Sequence, residues 1–347
     1  MKVLVTGGAG FIGSHIAEYY AKRGAEVVVY DNLSRTKLLG KAIGDPLYNW
    51  KYLKNYRNIK LIKGDIRDRK ALEGAAKNAD VIFHTAAQTA VTTSLVDPRT
   101  DFEVNAKGTF EVLDAARKND SIVVFTSTNK VYGENVNKLP IKELKTRYVF
   151  ADPIYKNGIG TDFEIDHTGH SPYGDSKLAA DIYVQDYAHT YGLKTGIFRM
   201  SCIYGDRQFG VEDQGWVAWF TIAVITNRTI TIYGDGKQVR DVLFVSDLID
   251  AFDRFVKSNK RHVVLNIGGG PENTLSLLEL LKLLEDKTGI KPKIRFADWR
   301  VADQKVYISD IAEARKSLDW KPHISPEKGV EKLISWAKSY FTSKQQA

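Results

Sequence analysis

The sequence predicts an α/β fold, a Rossmann-type doubly wound parallel sheet with a smaller C-terminal α+β domain for substrate. Short β-branched runs alternate with helical patterns, a glycine-rich turn joins the first strand to the first helix, and the composition is that of a globular chain. In order the segments are Val3 to Thr6, the helix Ile12 to Arg23, Val27 to Tyr30, Ile59 to Ile62, Val81 to His84, the helix Phe102 to Arg117, and Ile122 to Thr126. Parallel strands need long crossovers, which helices supply, so the alternation puts helices on both faces of one sheet. Gly24 stands where a left-handed cap closes the first helix, and Glu26 opens the next strand almost at once. The unit is a tight βαβ crossover.

From Glu134 to Pro172 the pattern lapses into a polar stretch with several aromatics, read as a long loop of the kind that carries function or moves. A helix follows from Tyr173 to Tyr191, with Leu178, Ile182 and Tyr187 marking its apolar face, and then a strand from Thr195 to Met200. From Ser201 the chain is rich in glycine and carries Trp216, Trp219 and Phe220; core packing is the expected role of at least one tryptophan, the other walling a pocket. The expected division is 1–200 plus about 236–265 for the dinucleotide-binding domain, and about 201–235 plus 266–347 for the substrate-binding domain, with Val242 to Phe255 and Val263 to Ile267 returning to the first.

Hydrophobic residues make up 43% and charged residues 27% of the 347 positions, which is ordinary for a chain that buries a large core. The net charge of +8 would suit nucleic acid, but the Lys and Arg residues are scattered among Asp and Glu, so no nucleic-acid partner is expected. A single cysteine, Cys202, excludes an internal disulfide, and the seven His residues are too dispersed for a metal site. The start, Met1 to Thr6, runs straight into an apolar strand and no segment has the length of a membrane span; the expectation is a reducing, cytoplasmic setting.

Gly7, Gly10 and Gly13 lie between a strand and a helix, where glycine permits a tight turn, close approach to a pyrophosphate and close helix–strand packing. The spacing is one residue wider than the commonest dinucleotide fingerprint. Asp31 falls 18 residues after Gly13, at the end of the second strand, where a carboxylate bonds the adenosine ribose and repels a 2′-phosphate. The cofactor expected is therefore NAD, although Arg35, four residues on, keeps NADP open or simply faces solvent. Asp65 is a second acidic candidate near the adenine, or only a turn former.

Tyr173 and Lys177 share a helix face at a four-residue spacing, and a neighbouring ammonium would lower the phenol's high pKa towards useful proton exchange. Tyr-x-x-x-Lys is common on helices; its position after the long loop and downstream of the glycine turn gives it meaning. Thr128, in Thr126-Ser127-Thr128-Asn129-Lys130-Val131-Tyr132-Gly133, ends the fifth strand and is the expected hydroxyl against the substrate oxygen.

Together these residues resemble the extended short-chain dehydrogenase/reductase family of nucleotide-sugar epimerases and dehydratases, and the likeness spans nearly the whole chain. Ser127 to Gly133, His170 to Gly174, Tyr204 to Phe209, Asp213-Gln214-Gly215-Trp216-Val217 and Gly236 to Asp241 look like one branch of it, the CDP-tyvelose 2-epimerases (CDP-paratose 2-epimerases). The resemblance implies that NAD stays bound, that hydride leaves C2 of a CDP-sugar and returns to the other face of a transient 2-keto sugar, and that Tyr173 exchanges the hydroxyl proton. It further implies cofactor contacts at Phe11, Ile12, Asn32, Ser34, Ile66, Ala86, Ala87 and Gln88, and substrate contacts at Thr93, Ser94, Thr128, Ser201 and Gln214. Arg240 and Arg300 are candidates for a pyrophosphate clamp, since guanidinium bonds phosphate with two prongs; a surface salt bridge is the alternative for each. A homo-oligomer, dimer or tetramer, is implied as well.

Two departures narrow the reading. Dehydratases of the family carry an Asp-Glu pair after the threonine, and Asn129-Lys130 stands there instead, so dehydration is not expected. The 4-epimerases usually have Asn two residues after the arginine of the sixth strand, where this chain has Arg199-Met200-Ser201. A UDP-hexose 4-epimerase and a non-catalytic NAD-binding regulator on the same fold remain the alternatives.

Overall fold

The computed structural model describes residues 1–40, 43–300 and 303–343. Seven strands, β1 (Lys2–Thr6), β2 (Glu26–Asp31), β3 (Ile59–Lys63), β4 (Val81–His84), β5 (Ile122–Thr128), β6 (Thr195–Met200) and β7 (His262–Ile267), form one sheet in the order β7-β6-β5-β4-β1-β2-β3. Every pair is parallel. The strand order reverses between β1 and β4, which opens a crevice at the carboxyl ends of those two strands.

Alternation along the strands feeds two cores. Val3, Val5, Val27, Val29 and Phe83 point to one face, packed with residues of the helices Phe11–Ala21 and Val245–Lys257. Leu4, Val28, Ile82 and Phe125 point to the other, against Leu113 and Val184 of the helices Gly108–Asn119 and Ser171–Tyr191. Gly24 takes φ +82° before β2, as its position after the first helix predicts.

Two sequence expectations need correction. The stretch after Gly133 is not structureless: it forms a 3-10 segment to Lys138, a hairpin of Ile141–Glu143 with Tyr148–Phe150, and a short turn at Pro153–Tyr155. Strands of three residues are too short to show a period. The helix face read as Leu178, Ile182 and Tyr187 is also wrong in part, since Ile182 is 52% exposed. The buried side is Lys177, Ala180, Asp181, Val184 and Tyr187, and two of those residues are charged, which hid the stripe.

The remaining strands build a second lobe outside the seven-stranded sheet. Val239–Phe244 pairs with Cys202–Tyr204, Thr274–Ser276 and Val306–Tyr307, while Thr229–Tyr233 pairs with Lys293–Ala297. Trp216–Ile225 and Pro326–Ser343 pack together beside them. The helix Leu277–Thr288 starts in a capping box of Ser276 with Glu279 and ends on left-handed Gly289. Among the described residues no helix is long and apolar enough to cross a membrane, and no cluster of His, Cys, Asp and Glu could hold a metal ion.

Candidate active site

The glycine turn sits at the crevice. Gly7 has φ +68°, and a Cβ there would lie 2.6 Å from the backbone nitrogen of Ala86; one on Gly13 would lie 2.4 Å from the Gly7 carbonyl oxygen. Larger residues at either position would push β1, β4 and the helix apart. Gly10 caps the helix without a side-chain hydrogen bond, so no side chain competes for the first-turn N–H groups at Phe11 and Ile12 that a pyrophosphate would take. These features fit a dinucleotide.

Asp31, at the end of β2, accepts from Ala9 N at 3.0 Å and Leu33 N at 2.7 Å, so it braces the glycine turn. Burial pushes its carboxyl up, and the two backbone bonds pull it back. Asn32 donates to Asp65 at 2.9 Å and accepts from Ser34 N at 3.0 Å. Asp65 pairs with Arg67 at 2.8 Å, the hydrogen bond from Arg67 chiefly holding its carboxyl well below the usual range. Ile66 is buried against Gly108. Ala86 and Ala87 follow β4, and the Ala86 backbone packs against Gly7.

Arg35 does not face solvent. Its guanidinium donates to Phe209 O at 2.8 Å and to Gln214 Oε1 at 3.1 Å, which turns it towards the second lobe and away from the role of a free 2′-phosphate ligand. Gln88 and Ser94 have internal side-chain partners. Gln88 is 1% exposed and its amide bonds Ala90 and Asp101, the latter at 2.7 Å; Ser94 is fully buried and donates to Val91 O at 2.7 Å. Both side chains are enclosed by internal partners, whereas Thr93, one residue earlier, stays half-buried.

Tyr173 and Lys177 occupy successive turns of the helix Ser171–Tyr191. Thr128, at the end of β5, is hydrogen-bonded to the Tyr173 hydroxyl, and that bond lowers the phenol's pKa. Burial outweighs it, and with Asp101 nearby the phenol is pushed up to about 12. The same burial pushes Lys177 down to about 7, partly opposed by Asp181. The Lys177 amine rests 4.1 Å from the Phe125 ring centroid. A low dielectric disfavours both charged forms, the phenolate and the ammonium.

Thr128 is oriented by its neighbour, donating to Asn129 Oδ1 at 3.4 Å, while Asn129 Nδ2 donates to Gln304 Oε1 at 3.2 Å. The helix carrying Tyr173 is held from behind, where Ser176 donates to Tyr173 O at 2.9 Å and Asn105, in the π-helical turn Phe102–Lys107, donates to Ser176 at 3.0 Å. Deeper still, fully buried Asp181 accepts twice from Arg199 at 3.1 Å and once from Ser127 at 2.6 Å. Sequence reasoning missed this second tier: its only signal was polar residues on a helix face otherwise apolar.

In the second lobe, Arg240 donates to Asp303 at 2.7 Å and Arg300 to Asp213 at 3.1 Å, so each arginine already has a carboxylate partner. Arg300 also lies 3.9 Å from the Tyr233 ring centroid. Ser201 donates to Asp241 O at 3.1 Å. Lys130 lies between Thr128 and this group, and burial, then Arg240, pushes its amine down to about 8. Trp216 donates to Cys202 Sγ at 3.2 Å, and Trp219 is core.

A parallel sheet with a glycine cradle and a Thr-Tyr-Lys group at its carboxyl edge defines an extended short-chain dehydrogenase/reductase. Residues 4–333 match the family model described as GDP-mannose 4,6 dehydratase, and the chain belongs to that family. The CDP-paratose 2-epimerase of Salmonella typhi is 41% identical over 350 residues, covering 98% of this chain and 100% of that protein. The UDP-glucose 4-epimerase of Thermotoga maritima, solved with UDP-glucose, superposes with a TM-score of 0.82 at 30% identity, covering 98% of this chain and 100% of that one. The UDP-glucuronic acid 4-epimerase of Bacillus cereus, solved with UDP-glucuronic acid and NAD, gives 0.80 at 26% identity and covers 98% and 99%.

Proposed function

We propose that this NAD-dependent nucleotide-sugar epimerase acts at C2 of a CDP-sugar, interconverting CDP-paratose and CDP-tyvelose. The observation that carries the reading is the full-length 41% identity to a CDP-paratose 2-epimerase, joined to Asn129-Lys130 beside Thr128 where a dehydratase would need an acid–base pair. Gly7, Gly10, Gly13 and Asp31 would hold the dinucleotide, which supplies hydride acceptance and return at one sugar carbon through a 2-keto sugar.

The chain's own groups manage the proton and the geometry. Tyr173 exchanges the proton of the sugar hydroxyl, and Thr128, hydrogen-bonded to the Tyr173 hydroxyl, can donate to its phenolate form and favour that exchange. Lys177, when charged, favours the phenolate. Arg240 and Arg300 would trade a carboxylate for the substrate pyrophosphate and hold it while the sugar turns. The two 4-epimerase structures favour a second reading, a UDP-hexose 4-epimerase on the same catalytic group.

CDP-paratose deuterated at C2 separates them. Label retained in CDP-tyvelose is the expected result, and no turnover of CDP-sugars beside conversion of UDP-glucose would replace this reading with the second. A homodimer is also proposed, because Phe102, Ile182 and Tyr183 expose apolar surface at 61%, 52% and 46% on neighbouring helices. Sedimentation at micromolar protein should give twice the chain mass; a monomer there rejects it.

A further inference from the structure

We propose that the turn Val211–Gln214 is a strap that retains the dinucleotide, with Gln214 as its clasp. The proposal rests on the NAD reading above and goes beyond it. Gln214 belongs to the second lobe, yet its amide spans two loops of the first: Oε1 accepts from Arg35 at 3.1 Å, and Nε2 donates to Thr89 Oγ1 at 2.8 Å. Arg35 follows β2 and Thr89 follows β4. In the sheet β2 and β4 flank β1, so a bridge between their loops crosses the carboxyl end of β1. That end is the glycine turn, where the crevice lies.

The strap is built to hold its shape. Val211 and Gln214 exchange backbone hydrogen bonds of 2.9 and 3.0 Å, closing a tight turn. Arg35 also donates to Phe209 O, which fixes the near end, and Arg300 holds the far side through Asp213 and the Glu212 carbonyl, both at 3.1 Å. A dinucleotide whose pyrophosphate sits on the Phe11 helix lies beneath this bridge and leaves only after the Gln214 amide lets go of one loop. An epimerase that returns hydride to the sugar it was taken from needs the same cofactor molecule for both transfers, and a clasped crevice supplies that.

The test measures release of the reduced cofactor, with no sugar present. Protein loaded with NADH is mixed with an excess of NAD, and the decay of bound NADH fluorescence gives the dissociation rate. Thr89→Val should speed release by roughly tenfold, the loss of one ordinary hydrogen bond; Gln214→Ala, which loses the bonds to both loops, should speed it by at least as much, and the double variant should be no faster than Gln214→Ala, because both break one bridge. Thr89→Ser, which keeps the hydroxyl, should release at the wild-type rate. Thr89 is exposed, so its variants keep the fold. Release within twofold of wild type in both Gln214→Ala and Thr89→Val overturns the strap while leaving the NAD reading intact; wild-type protein that retains no NADH overturns both.

Discussion

The two sides of the cleft handle positive charge in opposite ways. On the cofactor side, Lys177 is 2% exposed and, among the described residues, no salt bridge reaches it, the nearby Asp181 being committed to Arg199. On the side proposed for the sugar, Arg240 and Arg300 each meet a carboxylate, at 2.7 and 3.1 Å. A buried lysine without a counter-ion titrates near neutrality and can change state during a cycle; a paired guanidinium stays charged and can only change partners. The first arrangement suits proton work, the second a clamp that must release its product.

The largest effect should come from breaking the cofactor side. Tyr173→Phe should lower turnover about a thousandfold, in the range of a lost general acid–base, with NAD still bound. NMR of the sugar product checks this, and activity near wild type would remove Tyr173 from its role. On the sugar side, Arg240→Met should raise KM about tenfold with kcat nearly unchanged, as loss of one charge-assisted bond common to ground and transition states. A fall in kcat alone would mean that Arg240 acts in the chemistry and not as a clamp.

A subtler effect sharpens the contrast through pH. The folded Lys177 lies at about 7 against an ordinary 10.5, so between those values the unfolded chain binds the extra proton and stability rises with pH. Below about 7 the full penalty is present. Melting temperatures of wild type and Lys177→Met should therefore differ most at pH 6 and converge towards pH 10; parallel curves would place the charge elsewhere. His84 gives the smallest predicted change. It bridges Thr6 at 2.8 Å and Thr109 at 2.9 Å, and burial, aided by Lys177, pushes it down to about 3 from 6.5. Its contribution is present above pH 6.5 and lost as pH falls towards 3, so His84→Gln should flatten the acid side of the stability curve. An unchanged acid limb would rule it out.

Local rules made the cofactor side readable. A turn that needs Gly7 at positive φ, Gly13 against a carbonyl and Asp31 at a strand end leaves few alternatives in one short stretch, and Tyr173 and Lys177 need only helical spacing. The sugar side joins residues far apart in the chain, such as Arg240 with Asp303 and Arg35 with Gln214, and no periodicity links them. Gln88 and Ser94 show a related difficulty. Small polar residues after a strand look alike whether they face a ligand or close a local network, and only the burial of their side chains separates the two. Ile182 failed in the other direction, since an apolar residue on a helix reads as core even where it lies outside.

The edge strand β7 has a consequence for synthesis. It is contributed by His262–Ile267, whereas its neighbour β6 ends at Met200. During translation β6 waits for about sixty further residues, several seconds at roughly 5–20 residues per second, before its outer edge is covered. An unpaired parallel edge is a template for a second nascent chain, so the interval between these two strands is the period in which this protein most needs shelter from its own copies.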